Sequence, residues 1–178
     1  AQCLVGSEMC IRDRGNSEVG HNALGCGQIY SQGAKLVNEN IETGEIFKTE
    51  TWEALVNNCK EGTMHFLGLL SDGNVHSHIN HLKALIKKAK EDGVKEVRIH
   101  ALLDGRDVPE TSALIYIEDI ENYMAELNDD NFHACIASGG GRMTITMDRY
   151  EANWAMVEKG WHVHVLGEGL SLIHISEP

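Results

Sequence analysis

No apolar run in this sequence approaches the roughly 20 residues that carry a helix across a bilayer, so a membrane-spanning segment is not expected. The first residues lack a basic start followed by an apolar stretch, and no signal peptide is visible. Cysteine pairs of the CxxC kind are absent: Cys3, Cys10, Cys26, Cys59 and Cys135 are scattered and odd in number. That spacing offers neither a clustered zinc site nor a disulfide framework. The expectation is a reducing cytosol, with Cys26, Cys59 and Cys135 as small buried hydrophobes. Positive charge is in deficit, 15 Lys and Arg against 27 Asp and Glu, for a formal net charge of −12. Such a surface repels nucleic acid and anionic lipid, and neither is expected as a partner. Internal repeats and low-complexity tracts are also missing.

What is present is the balance of a globular protein. Hydrophobic residues make up 42% and charged residues 24% of 178 residues, enough for one domain with a proper core. Two segments read differently from the rest. Ala1–Arg14 (AQCLVGSEMCIRDR) and Leu170–Pro178 (LSLIHISEP) resemble the in-frame translation of sequencing-adapter read-through. They are set aside as non-native before fold reasoning. The expectation is that residues 15–169 are a window cut from a longer protein.

Within that window strand and helix patterns alternate. Met64–Leu70, Val97–Leu103 and Phe132–Ser138 are short apolar runs with the length and bounding turns of buried strands. Val163–Gly167 is expected to begin a fourth. Ile79–Asp92 repeats apolar residues at Leu82, Leu85, Ile86 and Ala89, an amphipathic helix ended by Gly93. Thr111–Leu127 repeats the pattern, and Arg149–Lys159 supplies a further helix closed by Gly160. Upstream, Thr51–Lys60 reads as a short helix and Gly15–Asn40 as a loop leading into one. This order implies parallel strands joined by right-handed crossovers. The expected fold is α/β, a three-layer parallel sheet with helices on both faces.

In such a sheet ligands bind beyond the carboxyl ends of the strands. Ser71-Asp72-Gly73-Asn74-Val75-His76-Ser77-His78 follows the first strand and Asp104-Gly105-Arg106-Asp107 the second. Gly139-Gly140-Gly141-Arg142 follows the third, with Asp148-Arg149 opening the next helix. Three such loops on one edge argue for a binding site. Arg106, Arg142 and Arg149 offer planar forks for phosphate or carboxylate. His76 can donate to an anionic oxygen or move a proton near neutral pH. Asp107 can accept from a substrate hydroxyl or hold Arg106 in place. The glycines before Arg142 would let backbone N–H groups approach a ligand. The plainer readings are a solvated or salt-bridged arginine, and a turn at Asp104-Gly105. His78 and His81 read as surface or capping residues, and His65, His100 and His133 as satisfied core or interface histidines.

Ser17, in Gly15-Asn16-Ser17-Glu18-Val19-Gly20-His21, sits where a loop enters an expected helix. A helix N-terminus stabilises negative charge there, which suits a nucleophile activated by a metal or base. An ordinary N-cap is the alternative.

The segments GNSEVGHNALGCGQIYSQGAKLV, SDGNVHSH, LLDGRDVPETSA and SGGGRMTITMDRYEANW, in this order, resemble the cofactor-independent phosphoglycerate mutases of the alkaline phosphatase superfamily. The resemblance runs over essentially all of residues 15–169. It implies that Ser17 is the catalytic nucleophile, becomes phosphoserine and ligates one of two divalent metal ions, Mn²⁺ with Mg²⁺ or Co²⁺ as alternatives. It implies further that His76, Arg106, Asp107, Arg142 and Arg149 contact substrate as 3-phosphoglycerate and 2-phosphoglycerate interconvert. Residues 15–32 would be a remnant of the phosphatase-like domain and 33–169 a truncated substrate-binding domain. The family's upstream aspartate ligand would fall where Ala1–Arg14 stands. Its other metal ligands, a catalytic lysine and a further arginine motif belong downstream of this chain. The chain alone is then expected to be inactive, and its parent to be a monomeric cytoplasmic enzyme of glycolysis. Two rivals are a related phosphopentomutase, against which the DGRD and GGGR loops speak, and a non-catalytic phosphoglycerate-binding module.

Overall fold

The computed structural model describes residues 21, 24–27, 33–145, 147–148 and 151–169. Helix α1 (Gly33–Thr43) leads through Gly44, whose φ of 75° is left-handed, into a 3₁₀ turn at Glu45–Lys48. Helix α2 (Glu50–Cys59) begins where the Thr49 hydroxyl accepts from Trp52 N at 3.2 Å, and Glu50 and Glu53 complement its positive end. Strand β1 (Thr63–Leu70), helix α3 (Ile79–Glu91), strand β2 (Glu96–Leu103), helix α4 (Ala113–Leu127) and strand β3 (His133–Gly141) follow. His78 caps α3 by accepting from Asn80 N at 3.1 Å, and Gly93, at φ 91°, ends it. Asn128 closes α4 and ties it to β3: its side chain accepts from Ala134 N at 2.7 Å and donates to Ala134 O at 3.0 Å.

The three strands are parallel in the order β1-β2-β3. Pairing sets Met64 beside Val97 and Val97 beside Ala134, all buried on one face. With consecutive strands adjacent, right-handed crossovers bring α3 and α4 to the same side of the sheet. They meet there through Lys83 Nζ to Asp119 Oδ1 at 2.7 Å and Tyr123 Oη to Lys83 O at 3.1 Å. Ile86 and Ile120 are sealed from solvent between them. Each such burial contributes about 1.5–3 kcal/mol. The expected α/β fold, a parallel sheet flanked by helices, is what forms. Among the described residues no helix is long and apolar enough to cross a membrane.

The opposite face is more open. It carries Leu67, 61% exposed, and a chain of imidazoles. His65 Nδ1 lies 2.8 Å from His100 Nε2, His100 Nδ1 2.6 Å from Ser138 Oγ, and Ser138 Oγ 2.7 Å from His164 Nδ1. His65 and His100 are thus hydrogen-bonded, as expected, but His65 is exposed, as is His133, which lies 3.5 Å from Glu96 Oε2, so neither is a core residue.

The C-terminal part differs from expectation. Helix α5 (Trp154–Trp161) starts at an Asn153 cap, not at Arg149, because Glu151 has a positive φ of 58° and cannot be helical. Gly160 does not end it. The helix continues as a π-helical turn, His162–Leu166, which replaces the expected fourth strand and stops at Gly167 in the left-handed region. Val163 and Val165 favour strand by propensity, but the His164–Ser138 hydrogen bond holds this segment against the open face of the sheet, and tertiary context prevails. Cys59 and Cys135 are half-buried as small hydrophobes, whereas Cys26 is exposed, its helical turn at 24–26 having no buried residue.

Candidate functional site

The carboxyl ends of the three strands converge on one aspartate. After β1, the chain folds back so that Ser77 Oγ donates to Leu69 O at 2.5 Å and Asn74, at φ 55°, donates its N–H to Ser77 O at 3.2 Å. This curl buries Ser71 and leaves His76 on the rim, its side chain 56% exposed. After β2, Gly105 at φ 62° lets the chain turn around the Asp104 carboxylate, whose Oδ1 accepts from the N–H of Arg106 at 3.2 Å and of Asp107 at 3.0 Å. After β3, Arg142 N donates to Leu103 O at 2.9 Å and prolongs the sheet by one residue. Its side chain turns inward.

Arg142 is 3% exposed, and its Nη1 donates to Asp104 Oδ1 and to Asp107 Oδ2, both at 3.0 Å. Ser71 Oγ donates to Asp104 Oδ2 at 2.7 Å. Burial by itself would raise the Asp104 carboxyl. The Asp107 N–H, the Ser71 hydroxyl, the Arg106 N–H and the Arg142 guanidinium together hold it below the usual carboxylate range. In these loops two buried polar atoms, Arg142 Nε and Asn74 Oδ1, have no hydrogen-bond partner among the described residues. Beside the loops, Tyr116 of α4 donates to Asp72 Oδ1 at 2.5 Å, and this hydrogen bond raises the phenol above its ordinary value.

The four described candidates are brought together, in unequal roles. Arg106 is exposed, and among the described residues its guanidinium has no hydrogen bond or ion pair, so it is available to an anion. His76 Nε2 stands 3.9 Å from Asp107 Oδ2. Asp107 holds Arg142 through Oδ2, where the sequence suggested Arg106. Ser17 and Arg149 lie outside the described residues, so their expected parts are not placed. Asp104 and Ser71 are the residues that sequence reading missed. The available signal was Asp104 standing first in the DGRD loop, directly at a strand end.

Gly139, Gly140 and Gly141 also differ from expectation. They belong to β3 and pair with Ala101, Leu102 and Leu103, where a loop after the strand was expected. Their smallness serves packing: a Cβ at Gly140 would stand 2.3 Å from Ile145 Cδ1, and one at Gly141 2.6 Å from Thr144 Oγ1. The segment after Arg142 folds tightly back over the strand end, which is what turns Arg142 inward.

Chemically the edge sets an exposed arginine, Arg106, beside a buried ion-paired core of Asp104, Asp107 and Arg142. Among the described residues no three His, Cys, Asp or Glu side chains converge to hold a metal ion. The described donors suit a phosphate or carboxylate, and Ser17, the one metal ligand the resemblance places in this chain, lies outside the described residues.

Comparison with known proteins agrees on one relationship. The family model described as BPG-independent PGAM N-terminus matches residues 37–177. A probable 2,3-bisphosphoglycerate-independent phosphoglycerate mutase of Leptospira interrogans is 58% identical over 159 residues, covering 88% of this chain and 29% of the relative. The corresponding mutase of Trypanosoma brucei brucei is 50% identical over 159 residues, with the same coverage. A crystal structure of Leishmania mexicana phosphoglycerate mutase at low cobalt concentration superposes with a TM-score of 0.79 at 50% identity, covering 86% of this chain and 28% of that one. The chain thus spans under a third of the length of these relatives.

Proposed function

The chain belongs to the 2,3-bisphosphoglycerate-independent phosphoglycerate mutase family, and from that premise we propose that its carboxyl-edge loops grip a phosphoglycerate while Ser17 exchanges the phosphoryl group. The reaction is the interconversion of 3-phosphoglycerate and 2-phosphoglycerate, in a soluble cytoplasmic enzyme of which this chain is one part. Ser17 Oγ gives up its proton and attacks phosphorus. The bond from phosphorus to the glycerate 3-oxygen breaks, and that oxygen takes up the proton. The glycerate reorients, its 2-hydroxyl gives up its proton as it attacks phosphorus, and the bond to Ser17 Oγ breaks as that oxygen is reprotonated. Arg106, with His76 and Arg149, binds the anionic ends of the substrate. Divalent metal ions would activate the serine, with most of their ligands supplied by parts of the protein beyond this chain. Without them Ser17 has the high pKa of an ordinary hydroxyl, and the isolated chain binds without turning over.

The observation that carries this reading is the exposed Arg106 guanidinium, without a partner among the described residues, in the loop whose next residue, Asp107, stands 3.9 Å from His76 and pairs with the buried Arg142. In a chain of net charge −12, an uncommitted arginine at the carboxyl edge is a local exception to the global sign. Isothermal titration of 3-phosphoglycerate into the chain tests it, beside Arg106→Ala. Saturable binding, weakened by about 1.5–3 kcal/mol on losing the arginine, is the expected result. A folded chain that takes up no phosphoglycerate overturns the reading.

A further inference from the structure

We propose that Asp104 is a positioning residue of this site, acting through Arg142, Ser71 and the Arg106–Asp107 backbone; the inference rests on the phosphoglycerate-binding reading above. An ionised carboxylate offers about four acceptor positions. Those of Asp104 are taken: Oδ1 by Arg106 N, Asp107 N and Arg142 Nη1, Oδ2 by Ser71 Oγ. With these four donors around it and only 5% of the residue exposed, the carboxylate is withdrawn from any ligand. Its effect on substrate must therefore pass through the groups it holds.

Those groups come from all three loops. Ser71 belongs to the loop after β1, the Arg106 and Asp107 amides to the loop after β2, and Arg142 to the end of β3. One side chain is the common partner of the three described loops that present His76, Arg106, Asp107 and Arg142. The loops are also packed too closely to shift independently. A Cβ at Gly73 would stand 3.0 Å from Asp107 Cβ, 3.4 Å from Asp104 Oδ2 and 3.4 Å from Ser71 Oγ. Displacing the carboxylate thus displaces the Arg106 turn and the curl that carries His76.

The charge matters as well as the shape. Arg142 Nη1 is shared between Asp104 and Asp107, and Nε is a buried N–H with no partner among the described residues. Buried donors are seldom left so, and a ligand oxygen is the natural acceptor. With the Asp104 charge removed, Arg142 would turn fully toward Asp107. The direction of Nε and the 3.9 Å spacing of Asp107 from His76 would both change.

The test uses the whole chain with Asp104→Asn and Ser71→Ala, read in two ways. The first is the ¹H–¹⁵N signal of Arg142 Nε, with the amides of Arg106 and Asp107. The second is titration with 3-phosphoglycerate. In the native chain the Nε–H signal should be sharp and should move when phosphoglycerate is added. In a folded Asp104→Asn chain that signal should collapse or shift together with the loop amides. Affinity should fall about 10–100-fold, as when outer groups that orient binding residues are lost. Should Asp104→Asn fail to fold, Ser71→Ala carries the test, with the same signals moving and affinity falling about threefold to tenfold. Unchanged signals and affinity within twofold, in whichever variant folds, overturn the proposal. A folded native chain with a sharp Nε–H signal but no phosphoglycerate binding overturns the functional reading instead, and with it the substrate side of this role. The two failures are therefore distinguishable.

Discussion

Arg142 and Asp104 meet at 3.0 Å, Nη1 to Oδ1, with both side chains almost withdrawn from water. Burying two charges is costly and is offset only when geometry is good and the remaining acceptors are filled. Here they are filled, by Ser71 and two backbone amides on the carboxylate and by Asp107 on the guanidinium. The pair therefore depends on all of these partners together, with Arg142 Nε alone left without one among the described residues, and its parts are not interchangeable.

Arg142→Met should lower stability by about 3–5 kcal/mol, because it leaves Asp104 and Asp107 as uncompensated carboxylates. Adding Asp104→Asn to that variant should recover part of the loss, since one orphaned charge disappears. Urea denaturation of the single and double variants measures both. A double variant less stable than the sum of its two single losses would show that the charges do not act as a unit.

Arg106→Ala should behave in the opposite way. Its side chain is exposed and holds nothing among the described residues, so unfolding free energy should stay within about 0.5 kcal/mol of the native chain. Phosphoglycerate affinity should nonetheless fall. A large loss of stability would mean that Arg106 has a structural contact absent from this structure.

That contrast shows where the sequence is legible. Strands, the helices over 79–92 and 111–127, and the edge bearing the loops follow from periodicity and turn residues, because burial on one face imposes a local pattern. Arg106 and Arg142 look alike in sequence, each following glycine at a strand end. What separates them is the fold-back at Thr144 and Ile145, which turns one inward, and that is a long-range packing event without a local signature. Asp104 was hidden in the same way, since an aspartate before glycine reads as a turn whether or not it also anchors an arginine. The π-helical turn at His162–Leu166 was illegible because its valines carry a strand signal while its partner, Ser138, lies far back in the chain.

Gly140→Ala should be destabilising by about 1–3 kcal/mol, since the added methyl would stand 2.3 Å from Ile145 Cδ1 and 2.9 Å from Cγ1. Ile145 is buried and has little room to move, so the strain should reach the neighbouring Arg142. Combining Gly140→Ala with Ile145→Val should relieve part of it. Thermal unfolding of the three variants checks this, and a Gly140→Ala chain as stable as the native one would contradict the packing role.

Acid should loosen the open face before it reaches the carboxylates. His100 is held below its ordinary pKa by burial first, then by the neighbouring His65 and His164, and His164 is lowered by burial. The groups that share this chain are His65 from β1, Ser138 from β3 and His164 from the π-helical turn. A histidine whose folded pKa is depressed binds more protons unfolded than folded. Its contribution is therefore fully present above the unfolded value of about 6.5 and is lost as pH falls through the lower folded one. The thermal midpoint should fall between pH 7 and the carboxylate range, more steeply in the native chain than in His100→Gln. His81, lowered by burial and then by His78, keeps some slope in the variant. The first signals to change should be those of His162–Leu166, because Ser138–His164 is the link that holds this turn to the sheet. A midpoint flat across that range, or one equally steep in His100→Gln, would mean that the imidazole chain does not couple protonation to folding.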